Sequence, residues 1–422
     1  MSAEIIDDLD WRGLIADSTD LDALRATLAA GPITFYCGFD PTAPSLHFGN
    51  LVQLVTMRRF QQAGHRPIAV VGGATGLVGD PSGKSAERAL NEVAVVEAWV
   101  ERIRPQIEHF LAFDGDNAAR MVNNLEWTGP MTVIEFLRDI GKHFSIARML
   151  AKESVSARVS DEGISFTEFS YQILQAMDYL ELFRRYGCVL QSGGSDQWGN
   201  LTAGVDLIRR VEGATVHALA TPLVTRSDGQ KYGKTEAGAI WLDPDSTSPF
   251  AFYQYFLNQA DADAVPLLKV FSFRSRDEIE ELARATAELP EARAAQRALA
   301  QELTELVHGA DEASRAIAAS AALFGDGELA NLDEETVRAS LREVPRAEIR
   351  GDLPPLLDLL VATGLARSLS DARRTVSDGG IYLNNRRVTD AATVPAAEDL
   401  IHGRWLVLRR GKRQLAAVER VD

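Results

Sequence analysis

Three times in its first two hundred residues the chain runs a short apolar segment, rich in β-branched and aromatic residues, into a polar loop and then into a helical pattern. The segments are PITFYCGF before Asp40, Ile68 to Val71 before a glycine-rich loop, and GCVLQ (Gly187 to Gln191) before SGGSDQWGN. VHALATPLV reads as a fourth strand. Buried strands alternating with long helices leave few arrangements open, because helices must cover the sheet faces and crossovers keep one hand; the pattern predicts βαβ units and a parallel sheet. Ligands of such sheets lie beyond the carboxyl ends of the strands. Tyr36 to Asn50, Gly73 to Asp80 and Gly193 to Asn200 all fall at those ends and should share one site.

The first loop, YCGFDPTAPSLHFGN, places His47, Gly49 and Asn50 where the helical run LVQLVTMRRF begins. A helix start offers unpaired N–H donors and a positive dipole end, which suits a phosphate. Gly49 lets a ligand approach the backbone closely. An ordinary βα connection with an incidental histidine is the competing reading. The second loop, GGATGLVGDPSGKS, is not a phosphate-binding loop of the GxxxxGK[ST] type, which would need glycine where Val78 stands. Nor do Gly72, Gly73, Gly76 and Gly79 fit G-x-G-x-x-G, so Walker-type ATPases and dinucleotide enzymes are both excluded on spacing. What remains is a flexible loop carrying Asp80.

Asn91 to Ile146 reads as mainly helical, and FTEFSYQILQAMDYLELFRRYG is a clear helix ended by Gly187. Tyr171, Gln175 and Asp178 share one of its faces at i, i+4 and i+7. They are either its solvent side or the polar lining of a pocket, and the apolar neighbours Ile173, Leu174, Met177 and Leu180 favour the pocket. TRSDGQKYGKTEAGAIWL then carries Arg226, Lys231 and Lys234 among glycines, a mobile cationic loop or a solvated surface loop. FAFYQYF opens a helical region that continues to about Phe324, and GDGELANLDEE reads as a linker.

A chain of 422 residues should hold two to four domains. Only Cys37 and Cys188 occur, so neither a disulfide framework nor a thiolate metal site is expected, and the seven histidines are scattered. The acidic start MSAEIIDDLD is unlike an export signal and no run is long enough to span a membrane, so a cytoplasmic protein is expected. The net charge of −16 opposes indiscriminate nucleic-acid binding. Residues 351–422 depart from it, with 11 Lys plus Arg against 9 Asp plus Glu. This tail reads as two short helices, Leu356 to Gly364 and Ser370 to Asp378, and strands turning at Asn384-Asn385 and Gly411-Lys412. Arg367, Arg373, Arg374, Arg386 and Arg387 cluster on it as a contact to a phosphate backbone requires.

These blocks resemble the bacterial tyrosyl-tRNA synthetases, class I aminoacyl-tRNA synthetases, over essentially the whole length. LHFGN is similar to the signature HIGH, with Asn50 where the second histidine usually stands, and KYGKT is similar to KMSKS with both lysines kept. YCGFDPTAPSLH, GATGLVGDPSGKS, SYQILQAMD and QSGGSDQWGN follow in the family's order, and the tail resembles its S-four type RNA-binding domain. The resemblance implies an α/β fold: a Rossmann-like parallel-sheet catalytic domain with a helical insertion at 1–222, and a mobile signature-loop linker at 223–246. An α-helical anticodon-side domain at 247–330, a linker at 331–353 and the α+β RNA-binding domain at 354–422 would follow.

It also implies that tyrosine is activated by ATP, with magnesium accompanying the nucleotide and no protein-bound metal, and is then passed to the terminal ribose of tRNA(Tyr). His47, Asn50 and Thr42 would contact phosphates, and Lys231, Lys234 and Thr235 would close over the pyrophosphate. Tyr36 and Asp178 would bind the substrate phenol, and Asp80, Tyr171 and Gln175 its ammonium, with Gln191 and Gln197 nearby. Gly38, Asp40, Gly194 and Asp196 would meet the adenosine and ribose, with Gly49 also in the ATP site. Cys37 is either a ribose contact or strand packing. A homodimer through the insertion between Asn117 and Ile146 is expected. A tryptophanyl-tRNA synthetase is the nearest alternative, opposed by the tail and by the pairing of Tyr36 with Asp178. A non-catalytic RNA-binding protein on the same scaffold is another, opposed by His47 and the loop lysines.

Overall fold

The structure is a computed structural model, and it describes residues 4–82, 91–150, 164–227, 229, 232, 234–235, 238–324, 328–411 and 414–421. The chain forms two compact units, one of residues 1–246 and 262–284, the other of residues 247–261 and 285–422.

The first unit is built on a six-stranded sheet: β1 (Asp17–Ser18), β2 (Thr34–Phe39), β3 (Arg66–Val71), β4 (Arg120–Asn123), β5 (Cys188–Gly194) and β6 (His217–Thr221), in the order β1-β6-β5-β2-β3-β4. Only β1 runs antiparallel. The four expected strands are present, and they are buried on both faces as a parallel sheet requires, so they read as apolar runs. β4 lies inside the segment expected to be mainly helical. Its four residues, RMVN, are too few and too mixed to stand out as a period-two run, and pairing with β3 decides them. After it the expected helical insertion is broken into short pieces, among them Leu125–Thr128, Val133–Glu135 and Ile146–Leu150.

Helix Phe166–Tyr186 forms as expected. Ser165 accepts the Glu168 N–H at 3.3 Å to start it, and Gly187 ends it at φ 62°, a left-handed conformation that costs glycine little. It lies against helix Trp198–Glu212, and its inner side buries Ala176, Met177, Leu180 and Leu182.

Residues 262–284 were expected in a separate helical domain, yet they pack with this unit. Arg12 donates to the carbonyls of Lys269, Ser272 and Arg274 at 2.9 to 3.0 Å, and Phe271 stacks on Phe48 with ring centres 4.6 Å apart. The Arg12 guanidinium thus ends helix Asp261–Phe271 where its last carbonyls have no partner within the helix.

In the second unit a five-stranded sheet has the order β11-β10-β12-β13-β9, with β9 Arg346–Ile349, β10 Ile381–Leu383, β11 Arg386–Val388, β12 Trp405–Arg410 and β13 Gln414–Arg420. The Asn384-Asn385 turn joins β10 to β11 as expected, both residues at positive φ. The expected linker 331–353 is structured instead. β9 pairs in parallel with β13, and Val337 and Leu341 join a core with Phe250, Leu323, Trp405 and Val407. Alternate residues of β12 explain why no boundary falls at 354: Trp405 and Val407 face that core, while Leu406 and Leu408 face a second one with Leu356, Leu360 and Val376. One sheet therefore holds the helices and the tail together.

Candidate active site

A cavity of about 450 Å³ opens at the carboxyl ends of the parallel strands of the first unit. Three expected loops meet there, supplied by the ends of β2, β3 and β5, with helix Phe166–Tyr186 closing one side.

At its inner end Asp178 is buried among apolar side chains, yet each carboxylate oxygen has a donor: Trp127 Nε1 at 2.7 Å to Oδ1 and Asn124 Nδ2 at 3.0 Å to Oδ2. Burial pushes the Asp178 pKa up to about 7, although those two hydrogen bonds pull it down. Burial and then the Asp178 charge raise the Tyr36 phenol well above its usual value. The Tyr36 hydroxyl is itself buried and meets no hydrogen-bond partner among the described residues. A buried hydroxyl left open beside a carboxylate can meet a group that both donates and accepts.

Further out, Asp40 accepts the Tyr171 hydroxyl at 2.6 Å on Oδ2 and the Thr75 hydroxyl at 2.6 Å on Oδ1. Asp80 accepts Gln197 Nε2 at 2.6 Å and the Ser82 N–H at 3.0 Å. Gln175 Oε1 is buried and open. Two carboxylates, a phenol and two amides around one space suit an ammonium group.

The mouth is the start of helix Phe48–Gln62. His47 precedes it, and the Asn50 side-chain carbonyl accepts the His47 N–H at 3.0 Å, which leaves the Asn50 amide group as a donor. Residues 240–242 pair with 46–48: the Phe48 N–H donates to the Ile240 carbonyl at 2.8 Å and the Leu242 N–H to that of Leu46 at 2.9 Å. Residues 240–242 are thereby registered on the segment that opens this helix. Gly194 and Asp196 form the opposite wall, and Gln53 Nε2 spans between elements to the Thr221 hydroxyl at 2.7 Å. Cys37 lines the cavity, its thiol pushed up to about 12 by burial, which keeps it protonated and unreactive.

The cavity gathers Tyr36, Gly38, Asp40, Thr42, His47, Gly49, Asn50, Asp80, Tyr171, Gln175, Asp178, Gly194, Asp196 and Gln197. Gln191 is not on its wall. It is buried behind β5, near Gly204 and Tyr179, because the strand pleat turns it from the face that Ser192 presents. Lys231 lies outside the described residues, and Lys234 and Thr235 are described only as strand β7 (Lys234–Thr235), paired with β8 (Gly238–Ala239). In the second unit Arg367, Arg373 and Arg386 are exposed, Arg374 pairs with Asp371 at 3.3 Å, and Arg387 donates to the Gly379 carbonyl at 2.8 Å. Sequence reasoning missed Asn124, Trp127, Thr75, Gln53 and Ser192. Recognising β4 would have put Asn124 at a strand end, the one available signal. No group of three or more His, Cys, Asp or Glu side chains among the described residues could hold a metal ion.

The sequence profile of the family described as tRNA synthetases class I (W and Y) matches residues 28–325, and that of the Tyrosine--tRNA ligase SYY-like C-terminal domain matches residues 336–418. The chain is 63% identical over 418 residues to a tyrosine–tRNA ligase of Streptomyces coelicolor, covering 99% of each chain. It is 58% identical over 424 residues to one of Mycobacterium tuberculosis, covering 100% of both. Among solved structures, a C-terminally truncated mitochondrial tyrosyl-tRNA synthetase of Aspergillus nidulans superposes with a TM-score of 0.68 at 32% identity, covering 74% of this chain and 92% of that one. A tyrosyl-tRNA synthetase of Archaeoglobus fulgidus complexed with L-tyrosine shares the fold at 16% identity, with a TM-score of 0.55 over 74% and 99% of the two chains.

Proposed function

We infer the chemistry of the cavity from one premise: the chain belongs to the class I tRNA synthetases of the tryptophan and tyrosine group. Its activity is that of a tyrosine–tRNA ligase, which uses ATP to activate tyrosine and transfers it to tRNA. The observation that carries the tyrosine reading is the open Tyr36 hydroxyl beside Asp178, a pair that meets a phenol and leaves nothing for an indole to satisfy at both groups.

In the proposed assignment the phenol sits between Tyr36 and Asp178, and the ammonium group is held by Tyr171, Gln175 and Asp80. Phenylalanine would strand those buried polar groups, the rule for which this enzyme class is the standard illustration. The substrate carboxylate attacks the α-phosphate in line, the bond to pyrophosphate breaks, and the leaving charge goes to the pyrophosphate oxygens. Positioning and charge neutralisation carry such a step. His47 and the Asn50 amide donate to the phosphates at the helix start, with Thr42 beside them, and Lys231, Lys234 and Thr235 complete the grip. Gly38, Gly194 and Asp196 take the adenosine. Magnesium supplies charge neutralisation while bound to the triphosphate; Asp40 and Asp80 are already engaged by hydroxyl and amide donors, which fits an ion carried by the nucleotide better than one caged by protein. The tRNA(Tyr) terminal ribose then takes the tyrosyl group, with Arg367, Arg373, Arg374, Arg386 and Arg387 on the tail contacting RNA phosphates.

A homodimer through residues 117–146 belongs to the same proposal. Val133 is 72% exposed and Ile134 69%, and Leu137 and Ile146 of the same segment are exposed too, apolar surface of the kind that a second copy would cover. A cytoplasmic location is proposed with it; among the described residues no helix is long and apolar enough to cross a membrane. ATP–pyrophosphate exchange driven by each amino acid tests the central reading: tyrosine should stimulate it, and stimulation by tryptophan alone would overturn it. Sedimentation of the full chain should give twice the mass of one chain.

A further inference from the structure

A continuous run of hydrogen bonds crosses the cavity floor. Trp127 donates to Asp178, and Asn124 donates one amide hydrogen to Asp178 and the other to the Thr75 hydroxyl, both at 3.0 Å. The Asn124 side-chain oxygen accepts the Ala74 N–H at 2.7 Å, so both amide hydrogens and the oxygen are engaged in this one orientation. Thr75 passes its single hydrogen to Asp40, which also receives the Tyr171 hydroxyl. Thr75, Asn124 and Asp178 are each less than 5% exposed. Gly72 leaves the room this needs, since a Cβ there would lie 2.0 Å from Asp40 Oδ1 and 2.4 Å from Thr75 Oγ1.

We propose that Thr75 is a specificity-determining positioning residue: its hydroxyl fixes the Asn124 amide on Asp178 and Asp40 beside Tyr171, so that the two ends of the amino acid subsite are held as one unit. The inference rests on the tyrosine reading given above. Thr75 touches no substrate in it. Without the hydroxyl, one Asn124 hydrogen and one Asp40 lone pair lose this partner in a buried site, and only the Ala74 N–H and Asp178 still orient the amide. Asp178 then has a less firmly held donor. The change is felt by a ligand that needs the carboxylate and much less by one that does not, so discrimination between tyrosine and phenylalanine should drop rather than overall activity alone.

The test is ATP–pyrophosphate exchange by the full chain with tyrosine and with phenylalanine, comparing the ratio of kcat/KM in Thr75→Val, which keeps shape, and Thr75→Ser, which keeps the hydroxyl. The ratio should fall about tenfold in Thr75→Val and be largely kept in Thr75→Ser. Equal scaling of both amino acids in Thr75→Val, with the ratio unchanged, would overturn the proposal and leave a packing role. Thr75→Ala is a second hydroxyl-free variant if the valine protein does not fold, and must give the same loss. Absence of tyrosine-driven exchange in the unmodified protein would instead overturn the tyrosine reading, and the proposal with it.

Discussion

The side-chain carbonyl of Asn50 accepts the backbone N–H of His47 at 3.0 Å, while the Asn50 N–H returns to the His47 carbonyl at 2.8 Å. The residue that departs from the usual signature therefore caps the helix start from its third position, bonding back to the N-cap His47, and it lines the cavity. Asn50→Ala should cost about 1 kcal/mol in denaturant unfolding and raise the KM for ATP. Asn50→His should lose the cap but keep a donor, giving a similar stability loss with a smaller effect on exchange.

Asp178 should impose a pH dependence on tyrosine binding. Its carboxyl titrates at about 7 in the folded protein, raised chiefly by burial. Below that pH it is protonated and a poorer acceptor for the phenol, so the KM for tyrosine should rise as pH falls through 7. The stability effect has the opposite sign. Between the unfolded carboxyl value near 4 and about 7 the native state holds the extra proton, so the ligand-free protein should lose stability as pH rises across that window, with the loss complete above it. Thermal melting across that range, with and without tyrosine, measures both.

Trp127 is expected to act on tyrosine alone. Trp127→Phe keeps the buried ring but removes the indole N–H that meets Asp178 Oδ1 at 2.7 Å. A hydrogen bond to a charged group is worth about 2 kcal/mol, so the KM for tyrosine should rise on the order of tenfold or more. The KM for ATP should stay where it is.

Arg12 secures residues 262–284 to the catalytic unit. It is 7% exposed and gives its hydrogens to three carbonyls and Asp8. Burial lowers the neighbouring Arg59 to about 9, and the Arg12 charge adds to that. Arg12→Met should leave the carbonyls of Lys269, Ser272 and Arg274 without it, at about 3 kcal/mol in denaturant unfolding. Relief of Arg59 returns only part of that.

The tail arginines should separate by role. Arg373, Arg386 and Arg387 are all exposed, but Arg387 also ties β11 to the Gly379 carbonyl. Arg373→Ala with Arg386→Ala should weaken tRNA charging and lower the salt slope of tRNA binding by about 1 per residue, with tyrosine-driven exchange unchanged. Arg387→Ala should lower thermal stability instead.

The sequence by itself determined the parallel sheet, the helix ended by Gly187 and the three loops at the strand ends, because burial on both faces, 3.6-residue spacing and glycine stops are local patterns. It also determined that Tyr171, Gln175 and Asp178 share one helical face, and the structure puts that face on the cavity. Only the tertiary structure decided what holds those residues. β4 exists because β3 offers it a ladder, and with it Asn124 and Trp127 reach Asp178 across more than fifty positions of chain. The path of residues 262–284, the place of β9 and the turning of Gln191 behind β5 likewise follow from partners distant in sequence. Local pattern is fixed by neighbours along the chain; hydrogen-bond satisfaction in a buried site is fixed by neighbours in space.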